Sequence, residues 1–447
     1  MNIDSHIKEW QNFNNLEHKV IDAFLQEYFK SKKEVEKDFI AIGFRVIIDV
    51  INAIHFYKKK NHTSQINPIP FKTIISYTDE FNKHNLKYRI ILFIKVFLNI
   101  NRFRSKSFFL TPKFVAQESF NFGHLKKYTD GGILYPFSIY SEIIKSRKKK
   151  INYDDSFIKI LSNKIFENIK KNIKNIDYQL DTNVSLIIEN HFKEFSRDYF
   201  NLKAKRNLKS FIFSTGNKTA FRLYARLSLN KNNKIEAFAH GHNLQNKDKH
   251  KLWMDLLISN TYYEQSESLR NELKQYIESL PEYQNLHKIN FNFVNKFNTS
   301  NYSNIAVDLN KINKVLVIGN ATKSHAFSSV TAFEIDTQIA IEESILNYFK
   351  KLDKEVYYKP HPGGHLKKEL LKHYAELEFL KIENDNFEEI LSNYDLIVFY
   401  YTRTSTITAA LNSNKPILLF DLGIEEHCSV SRKILKKRCF IENTKSL

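Results

Sequence analysis

Apolar and polar residues alternate in two different ways along this chain. Over roughly the first 200 residues the apolar positions recur at the three- and four-residue spacing of helices, as at 21–30, 39–57 and 184–200. The segment 39–57 is apolar enough to predict a buried helix. From about residue 180 the pattern changes, and short apolar runs of strand length begin to alternate with helical segments.

The first alternating region ends in a polar stretch over 295–304 that predicts a linker. Apolar runs predict strands at 209–215, 234–240, 255–259 and 288–294, with a helix over 219–229 and a long polar helix from Tyr262.

After the linker the alternation is more regular. It predicts strands at 314–319, 355–359, 378–382, 395–400 and 415–420, separated by helices at 331–351, 365–377, 387–393 and 404–413. Short apolar strands separated by helices favour a parallel, doubly wound sheet. We therefore expect an α/β protein with two Rossmann-like domains facing a cleft, over 201–304 and 305–447. A mostly helical region over 1–200 precedes them and is joined to the first.

Charge narrows the choice of partner. The 447 residues carry a formal net charge of +19, which favours anionic partners. The bias towards Lys, Asn, Ile and Phe that an AT-rich genome produces accounts for part of this excess. The basic runs contain no recognisable nucleic-acid-binding motif, so we expect no nucleic acid as partner. The run from Arg102 to Lys106, with Phe103, Phe108 and Phe109 beside it, is a candidate contact with the inner face of the cytoplasmic membrane.

Cysteine usage and apolar runs indicate a cytoplasmic protein. Cys428 and Cys439 are the only cysteines, with neither a disulfide framework nor a metal-binding spacing. The N-terminus lacks the basic and apolar regions of a signal peptide. The apolar run 88–100 is interrupted by Lys95 and is too short to span a bilayer.

The loop after the second strand of the 305–447 region, PHPGGH at 360–365, has the composition of an anion site. In doubly wound sheets, ligands bind at the carboxyl ends of the strands, near the point where the strand order reverses. Pro360 and Pro362 stiffen the backbone there. Gly363 and Gly364 permit close approach, and the following helix offers free N–H groups. His361 could donate to a phosphate oxygen, and His365 is a weaker candidate. The alternative is a simple strand-to-helix turn.

Hydroxyl groups cluster after the fourth strand of the same region, in YTRTST at 401–406. One hydroxyl is enough to cap a helix, whereas four flank Arg403, and this excess favours a second phosphate cradle. Neither a P-loop nor a GxGxxG motif is present, so a dinucleotide redox cofactor is not expected. The phosphate-binding hydroxyls would come from Thr402, Thr404, Ser405 and Thr406, and further donor contacts from Asn320, Thr322, Ser324, His325 and Glu383 in the neighbouring loops.

A third cluster, AFAHGHN at 237–243, follows a strand of the first alternating region. His240 and His242 flank Gly241, and either imidazole could act as a general base near neutral pH. An ordinary surface turn is the alternative. HxH can also begin a metal site, but no nearby carboxylate or Cys completes one, so we expect no metal and no cofactor.

These motifs together resemble the GT-B glycosyltransferases of bacterial surface polysaccharide synthesis. The similarity lies in KPHP at 359–362 and in DLIVFYYTRTSTITAALNSNKPILLFD at 395–421, and it extends more weakly over about 205–425. The pattern is similar to capsule polymerases and to polysialyltransferase-like and Kdo-transferase-like enzymes with an HP motif. The CDP-glycerol glycerophosphotransferases share the layout and carry an HG histidine in their N-terminal domain.

The resemblance implies roles for several residues. His361 and Pro362 would bind the donor phosphate, with Thr404, Ser405 and Thr406 on its other side. His240 would correspond to the HG histidine, the expected base. The acidic base motif of sialyltransferase-like enzymes has no clear counterpart, which leaves the base open between His240, His242 and Glu236.

The reaction implied is metal-independent sugar transfer from a nucleotide-activated donor, with a CMP-sugar favoured. The acceptor would be a growing surface polysaccharide or a glycolipid. Polyol-phosphate transfer from CDP-glycerol or CDP-ribitol, a sugar-nucleotide epimerase and a non-enzymatic binder of anionic surfaces are the alternatives.

Overall fold

Two parallel β-sheets organise the chain in its computed structural model, which makes this an α/β protein. The structure describes residues 3–60, 114–116, 133–134, 137–147, 153–173, 178–205, 208–213, 216, 218–239, 249–294, 308–323, 332–361, 367–402, 404–425 and 427–443.

The first half contributes long helices, as its periodicity predicts. They are α1 (Ile3–Lys30), α2 (Glu34–Ile42), α3 (Phe44–Lys60), α4 (Phe137–Ser146), α5 (Ser156–Asn172) and α6 (Tyr178–Lys203). Their apolar faces meet around Phe39, whose ring lies 4.8 Å from Phe195 and 5.0 Å from Tyr199 between centroids. The same core continues into the first sheet. Across the described ranges, no helix is long and apolar enough to cross a membrane.

The first sheet runs in the order β2-β1-β3-β4-β5-β6, with every pair parallel. Its strands are β1 (Phe114–Ala116), β2 (Ile133–Leu134), β3 (Ser210–Phe213), β4 (Ile235–Phe238), β5 (Thr261–Glu264) and β6 (Asn290–Phe293). Helices α7 (Thr219–Leu229), α8 (His250–Met254) and α9 (Glu267–Glu278) connect them. The strand order reverses between β1 and β3, so the loop after β3 lies at the switch point.

Two features of this sheet differ from the sequence prediction. The apolar run at 255–259 is a buried 3₁₀ turn over Leu256–Ile258, and the strand is the next segment, β5. A short apolar run fits a buried turn as well as a buried strand, which explains the error. The helix predicted from Tyr262 begins at Glu267 instead, where the Ser266 side chain caps it. The first half also supplies β1 and β2, which were not predicted.

The second sheet has the order β11-β10-β7-β12-β13-β14 and is also entirely parallel. Its strands are β7 (Lys314–Ile318), β10 (Glu355–Lys359), β11 (Leu380–Ile382), β12 (Leu396–Phe399), β13 (Ile417–Asp421) and β14 (Phe440–Asn443). A separate pair consists of β8 (Ala321–Lys323) and β9 (Ala332–Glu334). The helices are α10 (Ile335–Lys351), α11 (Lys367–Tyr374), α12 (Phe387–Ile390), α13 (Ser405–Leu411) and α14 (Ser429–Arg438).

All five strands predicted for this region are present, and β8, β9 and β14 are additional. β9 occupies the start of the segment predicted as a helix over 331–351, and the helix begins at Ile335 instead. Numbered from β7, the order reads 3-2-1-4-5-6, which is the arrangement of dinucleotide-binding Rossmann sheets. The order reverses at β7, between β10 and β12.

Helices α1 and α9 make contacts between the first sheet's unit and the second. Near the start of α1, Ile7 belongs to the apolar core of the second sheet, and Gln11 Nε2 donates to the Gly423 carbonyl at 3.3 Å. On α9, the Glu272 carboxylate accepts from the backbone N–H groups of Ser429 at 2.6 Å and Val430 at 2.9 Å, at the start of α14. The linker predicted over 295–304 lies outside the described residues.

Candidate functional site

Three adjacent strands of the second sheet lead into the loops that the sequence singled out. β10 and β12 pair with β7 on its two sides, with Lys359 opposite Ile318 and Val398 opposite Val317. The loops after residues 318, 359 and 399 therefore leave the same edge of the sheet. Neighbouring strands lie about 4.8 Å apart, so the two outer loops begin within about 10 Å of each other. This spacing is compatible with one phosphate or diphosphate lying between them.

Gly319 and Asn320 make the turn at the switch point. A Cβ atom at Gly319 would lie 2.1 Å from the Tyr358 hydroxyl oxygen, so only glycine fits this approach. The buried Asn320 donates its backbone N–H to the Tyr400 hydroxyl at 3.1 Å, and its carbonyl accepts from Gln338 Nε2 at 2.9 Å. The backbone N–H and C=O groups of Asn320, a residue predicted to contact the nucleotide-sugar donor, are therefore both held in place.

A fully buried carboxyl group, Glu342 on α10, lies beneath this turn. Its Oε2 accepts from the Tyr374 hydroxyl at 2.6 Å, and its Oε1 accepts from the Tyr400 hydroxyl and from Gln338 Nε2. The Asn320 N–H also points at Oε1, at 3.4 Å. Burial raises the pKa of Glu342, while these hydrogen bonds oppose the increase.

This carboxyl group couples elements from different parts of the site. Asn320 follows β7, Tyr400 follows β12, and Tyr374 lies at the end of α11. Sequence reasoning did not identify Glu342. The available signal was a polar pair, Gln338 and Glu342, spaced by four residues on the same buried face of α10 as Ile341 and Ile345.

His361 follows β10 and the buried Pro360, and its side chain is half-buried at the switch-point edge. This is the position that the sequence predicted for a phosphate ligand. Pro362, Gly363, Gly364 and His365, the rest of the motif, lie outside the described residues.

Thr402 has a partner within the protein. Its backbone N–H and its hydroxyl both donate to Glu425 Oε2, at 2.8 and 2.9 Å. The side chain is buried, and a phosphate here would face the same carboxylate. Thr402 is therefore not positioned as a phosphate ligand, because its two donors are already used by Glu425.

The remaining hydroxyls of the cluster lie at the start of α13, which begins at Ser405. Thr404 is the N-cap residue: its Oγ1 accepts from the Thr406 N–H at 3.4 Å and donates to Thr406 Oγ1 at 3.3 Å. The sequence allowed two roles for these hydroxyls, helix capping and phosphate binding. For Thr404 the geometry fits capping. Thr406 is half-buried. The Ser405 side chain and Arg403 lie outside the described part.

The other predicted donor contacts are dispersed. The Thr322 backbone pairs with Phe333 between β8 and β9, whereas its side chain, Ser324 and His325 lie outside the described residues. Glu383 follows β11, at the sheet edge beyond β10. Its carboxylate accepts from the Tyr394 hydroxyl at 2.7 Å and from the Asp385 N–H at 3.0 Å, and the Tyr394 hydrogen bond lowers its pKa. Glu383 is therefore one strand further from the switch point than His361.

In the first sheet, Glu236 lies within β4 and is only 1% exposed. Its Oε1 accepts from the Tyr263 hydroxyl at 2.9 Å and pairs with Lys234 Nζ at 2.7 Å. A carboxylate enclosed in this way is poorly placed to remove a proton from an acceptor. His240 and His242 lie outside the described residues. The segment that carries them begins where β4 ends, at Phe238.

A second buried network supports the switch-point loop of the first sheet. A Cβ at Gly216 would lie 2.2 Å from the Met254 carbonyl oxygen, and the Gly216 N–H points at Asp255 Oδ1 at 3.3 Å. Arg222, also fully buried, donates to the carbonyls of Gly216 at 2.7 Å and Met254 at 2.6 Å. Burial raises the pKa of Asp255 to about 7 and lowers that of Arg222 to about 9. Neither residue was selected from the sequence.

No protein-family model matches the chain, and no curated protein matches it. Among the described residues, no group of three or more His, Cys, Asp or Glu side chains is arranged to hold a metal ion.

Proposed function

We propose that this protein is a glycosyltransferase that moves a sugar from a nucleotide-activated donor, in preference a CMP-sugar, to a surface polysaccharide or glycolipid acceptor. The observation that carries the proposal is the topology of the second sheet. The two segments predicted to bind the donor phosphate follow β10 and β12, which flank β7 at the point where a 3-2-1-4-5-6 order reverses. Nucleotides bind at this position in sheets of this kind.

The phosphate-binding part of the proposal centres on His361. Its half-buried imidazole follows β10, which pairs with the central strand β7, at the switch-point edge. Ser405 and Thr406, in the first turn of α13, are proposed to complete the cradle. Thr402 is omitted because Glu425 already accepts both of its donors.

The buried hydrogen-bond network around Glu342 would preorganise the proposed nucleotide site. Glu342, Tyr400 and Gln338 fix the backbone of Asn320, so the loop after β7 does not have to be ordered when the donor binds. Fixed hydrogen-bond donors stabilise developing charge without further rearrangement. His361 is proposed to supply such a donor to the leaving phosphate.

In the proposed reaction an acceptor hydroxyl oxygen bonds to the anomeric carbon of the sugar. The bond from that carbon to the phosphate oxygen breaks, and CMP leaves with the bonding electrons. The acceptor proton passes to a base. Because Glu236 is buried and paired with Lys234 and Tyr263, His240 and His242 are the candidates that this proposal retains.

Nucleotide binding is the first test. We expect CMP or CDP, in a thermal-shift series with UDP and GDP, to raise the unfolding temperature of the full-length protein. His361→Ala should reduce that shift. His373→Ala is the matched control, because His373 lies on α11 of the same unit and pairs with Glu343 at 2.7 Å. A protein that responds to none of the four nucleotides contradicts the proposal.

Transfer itself is tested with an acceptor. We expect donor turnover to require an acceptor glycan, and His240→Ala or His242→Ala to abolish transfer while nucleotide binding persists. Conversion of the nucleotide sugar without any acceptor would instead indicate an epimerase. Appearance of polyol phosphate in the product, with CMP released from CDP-glycerol, would indicate the polyol-phosphate transferase alternative.

A further inference from the structure

Helix α14 presents a continuous basic face to solvent. Arg432, Lys433, Lys436 and Lys437 are all exposed, and the helix contains no Asp or Glu. At 100° per residue these four positions span about 140° of the helix surface. The buried positions Ser431, Leu435 and Arg438 point the opposite way.

Both ends of α14 are held rigidly. At its start, Glu272 of α9 accepts from the N–H groups of Ser429 and Val430. At its end, the buried Arg438 guanidinium donates to the carbonyl of Leu411, the last residue of α13, at 3.0 Å and to that of Ser413 at 2.8 Å. Arg438 is thus a structural cation, whereas the other four are presented outward on a fixed element.

Exposed apolar side chains border this basic face. β14 is the edge strand of the second sheet, and Phe440 and Ile441 on it are 47% and 38% exposed. A cavity of about 540 Å³ lies between α14 and the sheet, and its lining includes Arg432, Lys436, Phe440 and Ile441. Cations and exposed apolar groups therefore surround one depression.

We propose that α14 and β14 together form a surface that binds an anionic phospholipid bilayer. The four cations would contact lipid phosphates, and Phe440 and Ile441 would enter the boundary between headgroups and acyl chains. This combination of basic and apolar groups characterises proteins that lie on anionic membranes. The proposal is independent of the transfer reaction.

Charge also argues against the other occupants of this surface. The acidic residues Asp421 and Glu425 line the same cavity, so the four exposed cations of α14 outnumber the carboxylates there by two. A second copy docked through the same surface would bring eight cations together, which is unfavourable. Nucleic acid would use the cations but would leave the two exposed apolar side chains without a role.

Vesicle flotation with the full-length protein tests the proposal. We expect binding to vesicles of phosphatidylglycerol, weaker binding to an equimolar mixture with phosphatidylcholine, and none to phosphatidylcholine alone. Each cation near the membrane surface contributes roughly a fivefold factor, so Lys433→Gln with Lys437→Gln should weaken partitioning roughly 25-fold. Phe440→Ser should weaken the part of binding that survives high salt, because screening removes only the electrostatic part.

The matched control is Lys368→Gln with Lys372→Gln, a pair of exposed lysines at the same four-residue spacing on α11. This control should bind vesicles like the unmodified protein. Equal loss in both double variants would overturn the assignment of the surface, since it would reflect net charge alone. A dimer that Phe440→Ser dissociates, without any vesicle binding, would overturn it as well. Retention of a DNA duplex that depends on Lys433 and Lys437, with vesicle binding unchanged, would assign the surface to nucleic acid instead.

Discussion

The buried carboxyl of Asp255 should make the stability of the first sheet depend on pH. Asp255 follows α8 and points at the Gly216 N–H, at the switch point of that sheet. Replacement by Asn keeps the shape and an acceptor oxygen but removes the titrating group. The comparison of the two proteins therefore isolates one ionisation.

The magnitude follows from the difference between the folded and unfolded pKa values. Burial raises the pKa of Asp255 from 3.8 to about 7. Between these values the folded state retains a proton that the unfolded state releases, so the free energy of unfolding decreases as pH rises. The stabilisation is fully present below pH 3.8 and is lost as pH rises through 7. The shift corresponds to about 4 kcal/mol across this window.

Urea unfolding at a series of pH values from about 4 to 8 measures this effect. Fluorescence of Trp253, which is buried two positions before Asp255, reports the unfolding of this part of the chain when Trp10, the other tryptophan, is replaced by Phe in both proteins. We expect the stability of the unmodified protein relative to Asp255→Asn to fall by about 4 kcal/mol as pH increases. Asp336→Asn, an exposed change in the first turn of α10, serves as the control for removing one carboxyl group from the other sheet's unit.

Two outcomes would refute the reasoning. If the difference in free energy of unfolding between the unmodified protein and Asp255→Asn is constant with pH, Asp255 ionises equally easily in the folded and unfolded states. A relative stability that increases with pH would mean that Lys251 and Arg222, which both lower the pKa of Asp255, outweigh its burial.

Three further predictions test other parts of the fold and site. Gly319→Ala should lower the free energy of unfolding, measured with urea, by about 1–3 kcal/mol, because the added Cβ clashes with Tyr358. Tyr358→Leu should lower it less in the Gly319→Ala protein than in the unmodified protein, because the clash is then relieved. Burial lowers the pKa of His287 to about 4, so this residue should make the free energy of unfolding rise by about 3 kcal/mol between pH 4 and 6.5, opposite to the effect of Asp255. His287→Gln should remove this rise. Thr402→Val should cost roughly 2 kcal/mol by removing the hydroxyl bond to Glu425, yet leave the nucleotide-induced thermal shift intact; a reduced shift would restore Thr402 to the phosphate site.

Burial determined which strands could be predicted from the sequence. Three of the five predicted strands of the second sheet, β7, β12 and β13, are apolar and almost wholly buried, so they stand out against polar loops. β10 and β11 alternate buried and more exposed positions and were recognised from their apolar residues. β14 was missed because its residues face solvent at a sheet edge, and β1 and β2 because runs of three and two residues are too short to show a period. At 256–258 the run was apolar enough, but three buried residues fit a turn as well as a strand.

The site was predictable only where local sequence determines geometry. His361 follows a stiff Pro residue after a clear strand, so its position at the sheet edge could be inferred. Thr402 was assigned to phosphate because nothing near it in sequence indicates Glu425, which is 23 residues away. Glu342 was not predicted because its hydrogen-bond partners Tyr374 and Tyr400 are also distant in sequence and contact it only in the folded chain.

The two sheets hold their switch-point loops by the same physical means. In each, a glycine approaches so closely that a Cβ would overlap another group, at Gly216 in the first sheet and Gly319 in the second. In each, a fully buried carboxyl, Asp255 or Glu342, lies behind a backbone N–H of that loop, and burial raises its pKa. A close-packed glycine and a buried acceptor leave a loop few alternative conformations, so ligand binding would not have to supply the free energy of ordering it. Because burial raises the pKa of both carboxyls, the contribution of each to the free energy of unfolding should fall as pH rises through its own folded pKa.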